Sequence, residues 1–220
     1  MAFKGSVQKV TNDFWAPVLL TLQISLAAAV IAGCTGIAAA AAMHKTSFKG
    51  KLLAETAFML PLFLPPTVVG FLLLILLGKG KNFGLHVLFT KEAAVCASVV
   101  VAFPLMYMAA KTGFSAVSED VQEAARIDGA RELQVFSRIL LPLAAKALTA
   151  GLVLSFLRAM GEFGATLMVA GNIPGKTQTV ATAVYTAMET GNTGMAALWA
   201  STLILVSFLL FLIVRMLEKS

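Results

Sequence analysis

Glu123–Pro142, EAARIDGARELQVFSRILLP, is the stretch that decides how the rest of the chain is read. It is charged and helix-periodic inside a chain otherwise dominated by apolar runs. Ser118 precedes it as a helix cap, with Glu119 and Asp120 in the first turn, where the helix dipole favours negative charge. Val121, Ala124, Ala125, Ile127, Leu133, Val135 and Phe136 supply apolar contacts, interleaved with Arg126, Asp128, Arg131 and Glu132. The result is a small-residue amphipathic surface, too polar to span lipid. Gly129 permits a bend or a close approach that a side chain would block, so the pattern predicts two short helices meeting there. Pro142 suits the first turn of the next helix, where its missing N–H costs little. An ordinary solvated loop helix has the same amphipathicity, so periodicity alone leaves that reading open beside a docking surface.

Working outward, the composition is that of a membrane protein. The chain is 59% hydrophobic and 13% charged, with mean hydropathy +0.87, against about 45–50% and about 25% in soluble domains. Its 220 residues read as one compact unit, 1–220, with residues 118–142 a loop inside it. The net charge of +6 comes from Lys and Arg placed mainly between apolar runs, which suits anionic lipid headgroups rather than nucleic acid. Cys34 and Cys96 both lie in apolar runs and read as small core residues with no disulfide or metal role.

A helix needs about 20 mainly apolar residues to cross the hydrocarbon. Four uncharged windows meet or approach this: Phe14–Met43, Thr56–Gly78, Ala93–Ala110 and Thr190–Val214. A fifth, Leu143–Val169, is interrupted by Lys146, Arg158 and Glu162. No segment alternates like a barrel strand, so the expected fold is an all-α integral membrane protein with five transmembrane helices. Five spans put the termini on opposite faces. With the 118–142 loop cytoplasmic, Lys45, Lys49, Lys51, Lys111, Arg126, Arg131, Arg138, Lys146, Arg215 and Lys219 are inside. Lys4, Lys9, Lys79, Lys81, Lys91, Arg158 and Lys176 are then outside. The positive-inside bias thus points to N-terminus outside, C-terminus cytoplasmic.

Two motifs mislead. Ile31-Ala32-Gly33-Cys34 resembles a lipoprotein cleavage site, but the apolar run continues from Thr35 to Met43, too long for a signal h-region. Ala170–Thr177, AGNIPGKT, fits a relaxed nucleotide P-loop, yet a P-loop needs a strand before it and a sheet around it. Neither is expected here.

The opening stretch has a further property: E-A-A, three residues, Gly, nine residues, then I-x-L-P. This resembles the EAA loop of bacterial ABC-importer permeases, position for position. The resemblance implies a type I ABC importer permease fold in the bacterial inner membrane, with a cytoplasmic coupling-helix loop seated in a cleft of an ATPase subunit. Glu123, Ala124, Ala125, Gly129, Ile139, Leu141 and Pro142 are the matching coupling positions. It implies a homodimer working with two ATPase subunits and an external solute-binding protein. The chain itself is then no enzyme and needs no cofactor, ATP being hydrolysed by the partner. Some members of that family carry an additional N-terminal span; the resemblance here is to the five-span core.

A narrower resemblance concerns cargo. Gly161–Thr179, GEFGATLMVAGNIPGKTQT, looks like the corresponding stretch of molybdate permeases, its GEFGA start being shared more loosely with sulfate permeases. It implies passage of molybdate, with tungstate as a related oxyanion, through a permease of low affinity. The residues supply the candidate pathway or gate: Arg158, Glu162, Phe163, Gly164 and Thr166. Arg158 and Glu162 are four apart, on one helix face, and an ionisable pair within a span is a functional-site hypothesis by default. A structural ion pair near the outer end is the plain alternative. Gly161 and Gly164 suit either close helix packing or a bend at a gate. Thr166 either lines a path or bonds its own helix backbone.

Other residues make milder claims. Pro61, Pro65 and Pro66 predict a kink or break in the second span, for pathway lining or for packing. His44 and His86 sit at span ends and read as interfacial, as does Trp15, while Trp199 fits either an interface or the interior. Asn172–Gly194 reads as an outer loop that contains a short, partly embedded helix, Thr177–Met188, and is either a surface for the binding protein or a connector. Competing functions are a sulfate or thiosulfate permease, a self-contained channel or secondary transporter, and an integral-membrane enzyme. Two scattered histidines and no metal-spaced motif argue against the enzyme. No clear internal repeat supports the secondary transporter.

Overall fold

The computed structural model describes residues 2–44, 46–80 and 87–219, so Lys45, Lys81 and His86 lie outside the described residues. Lys4, Lys9 and Lys219 are described in backbone only. Among the described residues every regular element is helical. In chain order they are α1 (Ala2–His44), α2 (Lys51–Phe63), α3 (Pro66–Gly80), α4 (Lys91–Ser115), α5 (Glu119–Ile127) and α6 (Glu132–Val135). A π-helical turn, Phe136–Leu140, follows, then α7 (Leu141–Leu143), α8 (Ala145–Met160), α9 (Gly164–Ala170), α10 (Val180–Glu189) and α11 (Thr193–Lys219).

Three helical stretches are long and apolar enough to cross a membrane unbroken: Asp13–His44, Lys91–Ser115 and Thr193–Met216. Two bent pairs bring the number to five when each is taken as one crossing. The second expected span is not one rod. α2 and α3 meet at 113°, because Pro66 has no N–H and its ring pushes Pro65, and Pro65 likewise pushes Leu64, out of helical conformation. Leu64 is extended, with φ −77° and ψ 144°. The fifth expected span, Leu143–Val169, is also divided. α8 stops at Met160, and Val169 belongs to the separate helix α9.

α1, α4 and α8 form the centre. Ala28, Ala32, Ala102 and Ala159 pack as one cluster of small side chains. In a membrane the gain from such packing is close backbone approach, since lipid already solvates large apolar groups. Gly151 of α8 shows how close: a Cβ there would lie 2.4 Å from Ala109 Cβ of α4. α11 covers one side and turns Ile204, Leu205, Phe208 and Ile213 outward, as a helix bathed in hydrocarbon does.

Cys34 and Cys96 are free and exposed on this chain, which corrects their reading as core residues. An apolar neighbourhood in sequence identifies the core only when the outside is water. Here outward positions of α1 and α4 can be as apolar as inward ones. Trp199 bridges both readings made of it: it is half-buried, stacks on Phe14 and donates Nε1–H to Phe14 O at 3.1 Å.

Candidate functional site

Residues 118–142 fold as their local chemistry dictates. Ser118 Oγ accepts from Asp120 N at 3.2 Å, capping α5, and Glu119 and Asp120 occupy its first turn. α5 ends at Ile127 with Asp128 as its C-cap, and Gly129 follows with φ +89°, the left-handed region that disfavours most side chains. Ala130 N then closes back onto Ala125 O at 2.9 Å. Gln134 Oε1 accepts from Arg131 N at 2.8 Å, which fixes the start of α6. Arg126 reaches across the turn and gives Glu132 two hydrogen bonds, Nη2 to Oε2 at 3.1 Å and Nε to Oε1. That carboxylate raises the pKa of the Arg126 guanidinium. Two short helices are thus locked at a fixed angle around Gly129.

Which side chains face inward differs from expectation. From α5 the buried residue is Gln122, 1% exposed, donating Nε2 to Val117 O at 3.3 Å. Ile127 is 86% exposed and Leu133 76%, and Val121 also faces out. Val135 is buried, Ala125 and Phe136 are half-buried, and Phe136 packs beside Leu140 and Phe114. The amphipathic pattern located the helices, but the polar Gln122 was chosen for the interior because a carbonyl of the preceding turn awaits it. Of the family positions, Glu123, Ala124, Gly129 and Pro142 are exposed, and Ala125, Ile139 and Leu141 are half-buried. Pro142 lies in the one-turn helix α7, and the arm Glu132–Leu143 meets α8 at 73°. A hollow of about 220 Å³ separates this arm from the end of α1, lined by Ala41, His44, Gln122, Arg126, Glu132 and Phe136. His44 closes the last turn of α1, edge-on to Phe114. Gln122 and His44 carried no pattern that would have placed them together.

The second constellation lies at the break after α8. Glu162, 1% exposed in its side chain, receives Arg158 Nη1 on Oε2 at 2.7 Å, while Arg158 keeps 28% exposure. Its other oxygen, Oε1, accepts from Ala165 N at 2.8 Å and so caps α9. Thr166 Oγ1 donates to Phe163 O at 2.9 Å, so it is satisfied by its own helix backbone. Phe163 packs against Tyr185 of α10 with ring centroids 5.4 Å apart. At Gly164 a Cβ would meet Pro66 Cβ at 3.2 Å and Thr67 Cγ2 at 3.1 Å. The two helix breaks, far apart in sequence, therefore touch, and α3 and α9 run on from them packed together: a Cβ on Gly70 would lie 2.8 Å from Ala165 Cα.

The loop after α9 makes no phosphate cradle. A helix precedes it, and the N–H groups of Lys176, Thr177 and Gln178 all point to Ile173 O, at 3.0, 2.9 and 3.1 Å. Asn172 Nδ2 ties the loop to Thr186 of α10 at 2.6 Å. The short helix expected over Thr177–Met188 is α10, which starts and ends later, at Val180 and Glu189, and is buried along Val180, Thr182, Ala183 and Ala187. Among the described residues no group of three His, Cys, Asp or Glu is placed to hold a metal ion.

Comparison with known proteins agrees with this geometry. The chain is 48% identical over 212 residues to a putative molybdenum transport system permease protein, YvgM, of Bacillus subtilis, covering 93% of each chain. It is 39% identical over 199 residues to the molybdenum transport system permease protein ModB of Escherichia coli K12, covering 86% of this chain and 87% of the other. A probable sulfate transport system permease protein of Chlorella vulgaris is 30% identical over 203 residues, covering 89% and 76%. In fold it matches a chain of the inward-facing MetNI methionine ABC transporter with TM-score 0.75 at 15% identity, over 92% of this chain and 94% of that one. A chain of a bacterial ABC transporter importing the polysaccharide alginate matches with TM-score 0.73 at 17% identity, over 96% and 80%. Residues 14–220 match the family described as binding-protein-dependent transport system inner membrane component, and the chain is a multi-pass membrane permease belonging to that family.

Proposed function

We propose that this chain is the membrane-spanning subunit of an ATP-driven importer of molybdate, working as a homodimer with two ATPase subunits and an external binding protein that delivers the oxyanion. The observation that carries the mechanism is the rigid α5–Gly129–α6 elbow, which leaves Glu123, Ala124 and Gly129 outward. Closure of the ATPase dimer would push this elbow. The arm Glu132–Leu143, continuous through the π turn, would pass the displacement to α8 and thence to the α8–α9 break. Arg158, Glu162, Phe163, Gly164 and Thr166 are the proposed hinge of that pathway. Ile139, Leu141 and Pro142 are the proposed lever between elbow and span, Ala125 the small residue that lets α5 seat. ATP is hydrolysed by the partner, and the orientation is N-terminus outside, C-terminus cytoplasmic. Residues 1–220 act as a single transmembrane domain with 118–142 as its coupling loop.

Cargo rests on the molybdenum permeases among the relatives and, separately, on the resemblance of the GNIPGKTQT stretch to molybdate permeases. The test is ATP-dependent uptake of labelled molybdate into proteoliposomes holding this chain with its ATPase and binding protein. Competition by tungstate and not by sulfate is expected. Equal competition by sulfate would favour the second reading, a sulfate importer, which the Chlorella vulgaris relative keeps open.

A further inference from the structure

The elbow is not only a projection; it also has a hollow. Beside Gly129 lies a cavity of about 290 Å³ lined by Asp128, Gly129, Ala130, Gln134, Arg138 and Ile139. Its walls carry opposite charges, Asp128 and Arg138, yet neither makes an ion pair among the described residues, whereas Arg126 and Glu132 nearby are joined to each other. A Cβ on Gly129 would meet nothing within 4 Å, so the mouth is open. Ile127 and Leu133 stand on either side of the Gly129 turn, 86% and 76% exposed. They sit among exposed Asp128, Arg131, Glu132 and Gln134, so their surroundings are aqueous and not hydrocarbon. Large apolar side chains so placed mark a surface that a partner covers. The π turn that follows is a further sign, because such irregular turns cost backbone regularity and recur at functional positions. It is this turn that carries Arg138.

Resting on the function proposed above, we infer that the hollow receives an acidic side chain projected by the ATPase subunit. Its carboxylate pairs with Arg138, its apolar stem and neighbours lie against Ile127 and Leu133, and Asp128 on the far wall accepts a hydrogen bond from an N–H beside it. The dock is then reciprocal: the elbow enters the ATPase, and the ATPase enters the elbow. Arginine suits the task because its planar fork holds a carboxylate through two bonds. An apolar centre rimmed by charges is the usual anatomy of such an interface.

The test is affinity of the purified ATPase for the full-length chain in nanodiscs, measured across ionic strength. Arg138→Gln should weaken binding at least about tenfold and flatten its salt dependence, and Arg138→Lys should recover part of the loss. Because Arg138 is exposed, its variants should match the parent in thermal unfolding, which separates docking from folding. Asp128→Asn should weaken binding less than Arg138→Gln. Unchanged affinity in Arg138→Gln, with binding lost in Gly129→Trp, overturns the hollow while leaving the coupling dock. Loss of affinity for anionic vesicles but not for the ATPase likewise overturns it, assigning Arg138 to lipid. No binding of the ATPase to the parent chain overturns both readings.

Discussion

Glu162 sits between two partners: Arg158 one turn before it, 2.7 Å from Oε2, and the backbone N–H of Ala165, 2.8 Å from Oε1. One buried carboxylate thus ties the end of α8 to the start of α9. Removing it strands a partly buried guanidinium and uncaps a helix. Breaking such a pair typically costs about 3–5 kcal/mol. Glu162→Ala should lower the thermal midpoint of the detergent-purified protein markedly. Glu162→Gln keeps an acceptor for Ala165 and should lie between the two. Equal midpoints for Ala and Gln would show that the cap contributes nothing.

Gly129 lets a demand of the backbone be separated from the proposed demand of docking. Its φ of +89° excludes β-branched residues but accommodates asparagine at modest cost. With open space around it, Gly129→Asn should still fold, at a small loss of thermal stability from the left-handed φ. If seating against the ATPase needs a bare backbone, the same variant should lose ATP-driven uptake. Gly129→Val should lose uptake and also loosen the α5–α6 angle, visible as faster hydrogen exchange at Ala130. Full uptake by Gly129→Asn would refute the docking part.

Gly151 is a packing requirement inside the span. A Cβ 2.4 Å from Ala109 Cβ forces α4 and α8 apart. Gly151→Ala should destabilise by about 1–3 kcal/mol, the usual cost of overpacking. Gly151→Leu should prevent accumulation of folded protein. A double variant with Ala109→Gly should restore most of the alanine loss, and thermal unfolding reads both.

Thr21 of α1 anchors α10. Its Oγ1 donates to Pro17 O at 2.8 Å and accepts from Val180 N at 2.8 Å, all buried. Thr21→Ala leaves a buried N–H without a partner, a loss of about 1–3 kcal/mol. Thr21→Ser should retain the bond and the stability. Exchange at the Val180 amide measures it directly, and an unchanged rate in Thr21→Ala would refute the anchor.

Much of the architecture was legible in the chain because its causes are local. Hydropathy over twenty residues selects lipid or water, so the spans and the elbow could be read directly. Ser118, Gly129 and Pro65–Pro66 act through their own backbone, so the cap, the turn and the break in the second span stood out as well. The division of the fifth span at Gly161–Phe163 was harder to foresee, since its charges read equally well as an interruption or as a paired face.

What only the tertiary structure decided is which local features meet. Nothing near Pro66 announces Gly164, or near Thr21 announces Val180, because each contact joins segments far apart in sequence. Nor could pattern alone bury Gln122, expose Ile127 and Leu133, or turn Cys34 and Cys96 outward. In water, burial follows polarity, and a sequence betrays its core. In a bilayer, and around the exposed elbow at Gly129, outward positions are themselves apolar, so inward and outward are told apart by shape and hydrogen bonding, and these exist only once the helices have packed.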